Sequence, residues 1–226
     1  HLLRRNVDVN VLLFNNRIYG LTKGQYSPTS EVGKHTKSTP FGSIDHPFNP
    51  LSVALGAEAS FVARTVDVYS DHMASTLKRA AEHQGTAVVE IYQNCNIFNN
   101  GAFDNLRHKQ VRDENTIQLK HGEPIVFGAE GAKGLVLRGV TPQVVHVADV
   151  EEKDLLVHDE HNEDPTLAFL LSRLETMGLP TPVGVLRDVE RSVYDQALHE
   201  QVQAVTEKRG VGTLDDLLNT GDTWTV

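Results

Sequence analysis

Cysteine is nearly absent: Cys95 is the only one in 226 residues. A disulfide within the chain is excluded, and the expectation is an intracellular, cytoplasmic protein. Tryptophan occurs once and aromatic residues make up only 6%, so a core must be built mainly from aliphatic side chains. No apolar run approaches the ~20 residues that a bilayer span needs. The opening His1-Leu2-Leu3-Arg4-Arg5 has neither the apolar stretch nor the cleavage site of a secretory signal. No membrane partner is expected. Excess positive charge is lacking too: 21 Lys and Arg face 30 Asp and Glu, for a net charge of −9. That balance disfavours a nucleic-acid phosphate backbone as a partner. There is no initiator methionine, and the chain enters an apolar strand almost at once. We therefore expect it to be an internal portion of a longer protein.

What is present suffices for a core, with 39% hydrophobic residues before glycine is counted. Val7 to Phe14 is β-branched and apolar, and reads as a largely buried strand of a parallel sheet. Residues 15–48 are rich in Asn, Gly, Ser, Thr and Pro, and a loop of that length is usually functional. Asn49-Pro50 is a cap and first-turn pair for a helix to Ala59. Ser60 to Val68 reads as a strand. Ser70 is the candidate cap of a helix to Gln84, with Met73, Leu77, Ala80 and Ala81 on one face and Gly85 ending it. Thr86 to Tyr92 reads as a third strand. This alternation predicts an α/β fold with a mainly parallel sheet and flanking helices.

Beyond Cys95 the pattern shifts. Short strands at Ile117–Leu119, Ile125–Phe127, Gly134–Arg138 and Gln143–Val147 predict a small antiparallel meander, with Leu155–Val157 as a further candidate. Helices are expected from Asp164-Pro165 to Met177, closed by Gly178, and from Ser192 to Lys208. The expected division is a domain of residues 1–106 followed by a β-meander and helical extension at 107–226.

The chemistry concentrates in Asn15-Asn16-Arg17-Ile18-Tyr19-Gly20-Leu21-Thr22-Lys23-Gly24-Gln25, directly after the first strand. Ligands of open α/β sheets bind at the carboxyl ends of strands. The Asn16 amide oxygen and a backbone carbonyl two residues on suit a hard divalent cation. Glycines flanking Leu21-Thr22-Lys23 let backbone amides, the Thr22 hydroxyl and Lys23 approach phosphate oxygens. An ordinary strand-to-helix turn is also rich in Asn, Gly and Thr, so local chemistry leaves both readings open.

The stretch NNRIYGLTKGQYSPTS resembles the closing half of the thiamine diphosphate motif in β subunits of 2-oxoacid:ferredoxin oxidoreductases, of the 2-oxoglutarate type. KSTPFGSIDHPFNPLSVALGAEASFVAR, VEIYQNC and FNNGAFD extend the resemblance through residues 1–105. HGEPIVFG, LLVHDEH and PTPVGVLRDVERSVYD continue it more weakly. The resemblance implies a thiamine diphosphate-binding fold truncated at its N-terminus. Asn16 would be a Mg²⁺ ligand, and Ile18 would ligate through its carbonyl. Tyr19, Gly20, Leu21 and Thr22 would line the cofactor, and Lys23 would meet a substrate carboxylate. Cys95 would be the last ligand of a [4Fe-4S] cluster. The family's Gly-Asp-Gly and Cys-x-x-Cys are not in this chain and are expected upstream of His1, so the chain alone should be inactive.

The implied reaction is oxidative decarboxylation of 2-oxoglutarate to its acyl-coenzyme A, with electrons passed to ferredoxin. An α subunit is implied as partner and would bring the glutamate that activates the cofactor. A pyruvate or branched-chain 2-oxoacid enzyme, or a non-catalytic assembly domain keeping the fold, are the rival readings. His158 and His161 stand three residues apart in a run with Asp159 and Glu160; a solvated polar loop is the preferred reading there over a metal site. His35, His46, His72 and His83 show no ligand spacing and are expected in loops or on polar helix faces. Neither a Gly-x-Ser-x-Gly elbow nor a dinucleotide-binding glycine motif occurs.

Overall fold

The computed structural model describes residues 1–222 and Trp224. A short α1 (Leu2–Arg5) leads into β1 (Val9–Asn15). The long loop then reaches α2 (Pro50–Gly56), β2 (Phe61–Val66), α3 (Ser70–Glu82) and β3 (Thr86–Tyr92). Two single-turn helices, α4 (Asp104–Arg107) and α5 (Arg112–Asn115), precede β4 (Thr116–Gln118), β5 (Val126–Phe127), β6 (Lys133–Arg138) and β7 (Thr141–His146). Last come α6 (Thr166–Ser172), β8 (Thr181–Asp188), α7 (Tyr194–Arg209) and α8 (Leu214–Leu218).

The main sheet has the order β1-β3-β2-β8-β4. β1 and β2 both pair parallel with β3, and β4 pairs parallel with β8; only β8 against β2 is antiparallel. The fold is thus α/β with a mostly parallel sheet, as the strand–helix alternation predicts. A second sheet, β5-β6-β7, is antiparallel.

Side chains of the central strands alternate between two apolar layers. Val62, Val88 and Leu186 join Leu51 and Leu55 of α2 and Leu171 of α6 on one face. Phe61, Ala63, Ala87, Val89 and Ile91 face α3 on the other, where Met73, Leu77 and Ala80 cover them. Asn49 caps α2 by accepting from the Ser52 amide at 3.0 Å, and its own amide donates to the Ser172 carbonyl at 2.8 Å, tying α2 to α6. Gly85 (φ +118°) bends the chain into β3 where a Cβ would strike the Asn6 side chain at 2.3 Å. Asn6 Oδ1 there accepts from Ser60 Oγ and the Thr86 amide.

Several expectations are corrected. β1 is an edge strand, with Leu12 44% and Phe14 57% exposed; β-branched apolar composition does not tell a central strand from an edge. Residues 116–118 do not join the meander but extend the main sheet beside β8. β8 itself is missed by pattern reading, because Pro182, Gly184 and Arg187 interrupt its apolar run, although seven of its eight residues are buried. Leu155–Val157 is not a strand; Leu156 instead exchanges backbone bonds with Ile125 and Leu135 at 2.7 and 2.8 Å. Ser70 makes no cap, Ala81 points to solvent, and the helix expected to Met177 breaks into α6 and a 3-10 turn. The expected division between residues 106 and 107 meets the last residue of α4, and β4 and β8 beyond it lie in the same sheet as β1, β2 and β3.

Candidate functional site

The loop after β1 lies at the carboxyl ends of β1 and β3, the position where parallel sheets place ligands. Asn16 accepts from the Ile18 amide at 3.2 Å through its side-chain oxygen, which folds the backbone back at Arg17 (φ +54°). Tyr19 to Gln25 then forms a narrow hairpin: the Tyr19 amide donates to Gln25 at 2.9 Å, the Gly24 amide to Tyr19 at 2.9 Å, and the Lys23 amide to Gly20 at 3.0 Å. Lys23 (φ +71°) and Gly24 (φ +101°) are left-handed at its tip, and a Cβ on Gly24 would meet the Phe98 ring at 2.9 Å. Glycine is therefore required there by conformation and by contact.

An open groove of about 640 Å³ runs along this loop. Asn16, Ile18, Tyr19, Gly20 and Leu21 line it, with Phe14, Pro28 and Phe48 as apolar wall. Thr22 and Lys23 are exposed at the hairpin tip, outside the lining, and Lys23 forms no ion pair among the described residues. Leu21 is 99% exposed. Cys95 is a partly exposed free thiol in a turn closed by the Asn99 amide donating to its carbonyl at 3.0 Å. Asn99 Nδ2 in turn donates to the Asn16 carbonyl at 2.9 Å, and Lys34 hydrogen-bonds Asn99. The Cys95 turn is thus fastened to the loop that carries Asn16.

Beneath the loop lies a charged network that pattern reading did not single out. Arg64 on β2 and Glu90 on β3 are register partners, fully buried, with Nε donating to Oε2 at 2.8 Å. The other Glu90 oxygen accepts from Asn15 Nδ2 at 2.7 Å, and Asn15 Oδ1 accepts from Thr29 at 2.7 Å and from the Arg17 amide at 3.2 Å. Arg17 pairs with Glu175, which accepts from the Tyr92 hydroxyl at 2.7 Å, and lies over the Phe103 ring at 4.5 Å. Burial opposes the Glu175 charge, but Arg17 and Arg64, with hydrogen bonds from Tyr92 and Arg17, hold its carboxyl below the ordinary range. Burial also works against the Arg64 charge, yet Tyr92, Glu90 and Glu175 outweigh it and keep the guanidinium firmly protonated. Burial pushes the Tyr92 hydroxyl well up. The available signal was a single opposite charge inside each of two apolar strand runs, FVARTV and TAVVEIY, which a parallel pairing brings side by side.

Three histidines, His72, His83 and His158, are placed differently from the reading, whereas His35 and His46 stand exposed in loops as expected. His72 Nδ1 meets Thr65 Oγ1 at 2.8 Å, and burial lowers its pKa. His83 is held between Ser60 at 2.8 Å and Asp188 at 3.0 Å. His158 is buried, with Nε2 on the Val185 carbonyl at 2.8 Å, and does not turn toward solvent with His161.

Residues 1–91 match the model of the thiamine pyrophosphate enzyme C-terminal TPP-binding domain. Over 229 aligned residues the chain is 54% identical to the 2-oxoglutarate oxidoreductase subunit KorB of Mycobacterium tuberculosis, covering 100% of this chain and 61% of that protein. By these matches the chain is similar to subunits of 2-oxoacid:ferredoxin oxidoreductases. Subunit β of the 2-oxoacid:ferredoxin oxidoreductase 1 of Aeropyrum pernix is 43% identical over 182 residues, 80% of this chain and 47% of that one. Among solved structures, a 2-oxoglutarate:ferredoxin oxidoreductase from Magnetococcus marinus, with 2-oxoglutarate, coenzyme A and succinyl-CoA bound, superposes with a TM-score of 0.65. That match has 27% identity and covers 96% of this chain and 59% of that one. The chain therefore spans about three fifths or less of the length of these proteins. No helix among the described residues is long and apolar enough to cross a membrane.

Proposed function

We propose that this chain is the C-terminal part of a β subunit of a 2-oxoglutarate:ferredoxin oxidoreductase and forms the cation and diphosphate wall of its thiamine diphosphate site. The observation that carries the proposal is the pairing of the Asn16 side chain and Ile18 on one groove at the carboxyl end of β1. Asn16 Oδ1 accepts only the Ile18 amide, and the Ile18 carbonyl accepts no hydrogen bond among the described residues. Two neutral oxygens free to ligate suit Mg²⁺, which keeps several waters and takes substrate phosphate oxygens as its other ligands.

Bound thiamine diphosphate supplies the electron sink for decarboxylation of the 2-oxoacid. This chain's residues hold and orient it. Asn16 and the Ile18 carbonyl would hold the cation, and Tyr19, Gly20 and Leu21 would line the cofactor, with Thr22 beside them at the hairpin tip. Lys23, unpaired at the hairpin tip, attracts a substrate carboxylate, which favours a dicarboxylate. Cys95 offers one thiolate of the four that a [4Fe-4S] cluster takes, and the others come from outside this chain. Residues 1–106 carry these groups, and 107–226 serve as an extension that completes the sheet. An α subunit, coenzyme A and ferredoxin complete the reaction, in the cytoplasm, with neither nucleic acid nor membrane as partner.

Asn16→Ala in the full-length subunit tests the reading. Thiamine diphosphate affinity in Mg²⁺, measured by calorimetry, is expected to fall by more than the ~10–100-fold that loss of an outer-shell group costs. The melting temperature without cofactor should not change. An unaltered titration would show that the groove does not bind the cation through Asn16.

A further inference from the structure

We infer that His121, Glu160 and His161 form a site for a divalent transition metal of the zinc class, at the end of the sheet opposite the cofactor groove. The placement follows from the register. The groove lies where β1 and β3 end, whereas this cluster lies beside Asp188, the last residue of β8, which pairs with Phe61 at the start of β2. The inference does not rest on the thiamine diphosphate reading.

One ligand atom from each of the three residues lies within 4.8 Å of the other two, and the two imidazole rings stand 4.6 Å apart. Tetrahedral ligands at ~2.0–2.2 Å from zinc are about 3.4 Å from one another. Closing the cluster thus takes a shift of about an ångström, within reach of two exposed histidine side chains.

The surroundings orient each ligand. His161 Nδ1 donates to the Asp188 carbonyl at 2.6 Å, which turns Nε2 toward Glu160 Oε1 at 3.5 Å. Glu160 is buried and held by Arg79, whose Nη1 and Nη2 reach its two oxygens at 3.1 and 2.9 Å. His121 stands on a turn fixed by the Gly122 amide donating to the His158 carbonyl at 2.8 Å and the His158 amide donating to Glu123 at 3.1 Å. Asp159 Oδ1 lies 3.6 Å from His121 Nδ1. Carbonyls and carboxylates beside the far ring nitrogen orient histidine ligands in metal sites.

Charge points the same way. Asp159, Glu160 and Asp188 face one guanidinium, Arg79, so carboxylates outnumber the fixed cations around the cluster and favour a divalent cation. Two imidazoles and one carboxylate select zinc-class metals over Mg²⁺ and Ca²⁺. The metal would clip the turn after β4 to the loop before α6 and, through Arg79, to α3.

The test is zinc competition against a fluorescent chelator, using tag-free full-length subunit that keeps its iron–sulfur cluster, freed of loosely held metal and kept in Mg²⁺ buffer. Wild type is expected to withdraw Zn²⁺ in one saturable step. His121→Ala and His161→Ala should each abolish that step, Glu160→Gln should weaken it, and His199→Ala should leave it intact. Both ligand histidines are exposed, so circular dichroism is expected to match wild type. His121→Asn replaces the alanine variant where the turn is disturbed. No saturable step in wild type, or one that survives the His121→Ala/His161→Ala double variant, overturns the inference.

Discussion

Removing Arg64 while keeping Glu90 probes the network under the loop that carries Asn16. The pair is taken wholly out of water, with side chains 2% and 0% exposed at a 2.8 Å contact. Breaking a buried ion pair by deleting one partner costs ~3–5 kcal/mol, since it strands the other charge, whereas replacing both partners by matched neutral groups is often neutral or better. Arg64→Met fills much of the same volume, so lost packing adds little. With an m-value near ~2 kcal/mol per M of urea, a loss of ~4 kcal/mol moves the unfolding midpoint down by roughly 2 M. The Arg64→Met/Glu90→Gln double variant should recover most of that shift, because Gln still accepts from Asn15. Urea titrations followed by circular dichroism read both midpoints. A single variant within ~0.5 kcal/mol of wild type, the range of inert surface changes, would refute the reasoning. So would a double variant as unstable as the single one.

Cys95→Ala in the full-length subunit is expected to lower iron content and the visible absorbance of the cluster together; full iron with normal electron transfer would make Cys95 a packing residue only. Lys23→Ala in the intact complex should cost roughly ten- to a hundredfold in kcat/KM for 2-oxoglutarate, the value of a charge-assisted hydrogen bond of ~1.5–3 kcal/mol. Pyruvate should suffer less, and equal losses would place Lys23 at a carboxylate common to both substrates. Glu175 has a folded pKa below its unfolded one, so its contribution is present in full above the ordinary carboxylate range and is lost as pH falls through the lowered value. Wild type should therefore lose more stability on acidification than Glu175→Gln, as measured by urea midpoints across that window; parallel pH profiles would exclude the Arg17–Glu175 pair as the cause.

Local pattern determined a good deal here. Thr86 to Tyr92 is a strand over that same range, Asn49-Pro50 starts α2, and Gly178 closes the turn after α6. These are short-range effects: β-branched runs, side-chain caps and left-handed glycines act within a few residues. The loop NNRIYGLTKGQ stands out for the same reason, since its hairpin is closed by its own backbone and the turn at Asn16 by the Asn16 side chain. Sequence similarity then supplied the family. Tertiary structure decided what depends on partners far apart in the chain. It put β1 at an edge, inserted β8 between β2 and β4, and turned Ile117 from the meander into the main sheet. It joined Arg64 to Glu90 across two strands, and both to Asn15 and so to the loop that bears Asn16. It also separated His158 from His161, burying the first and bringing His121 to the second. A charge inside an apolar strand, or a histidine in a polar turn, has no readable role until the sheet order sets which residue stands opposite.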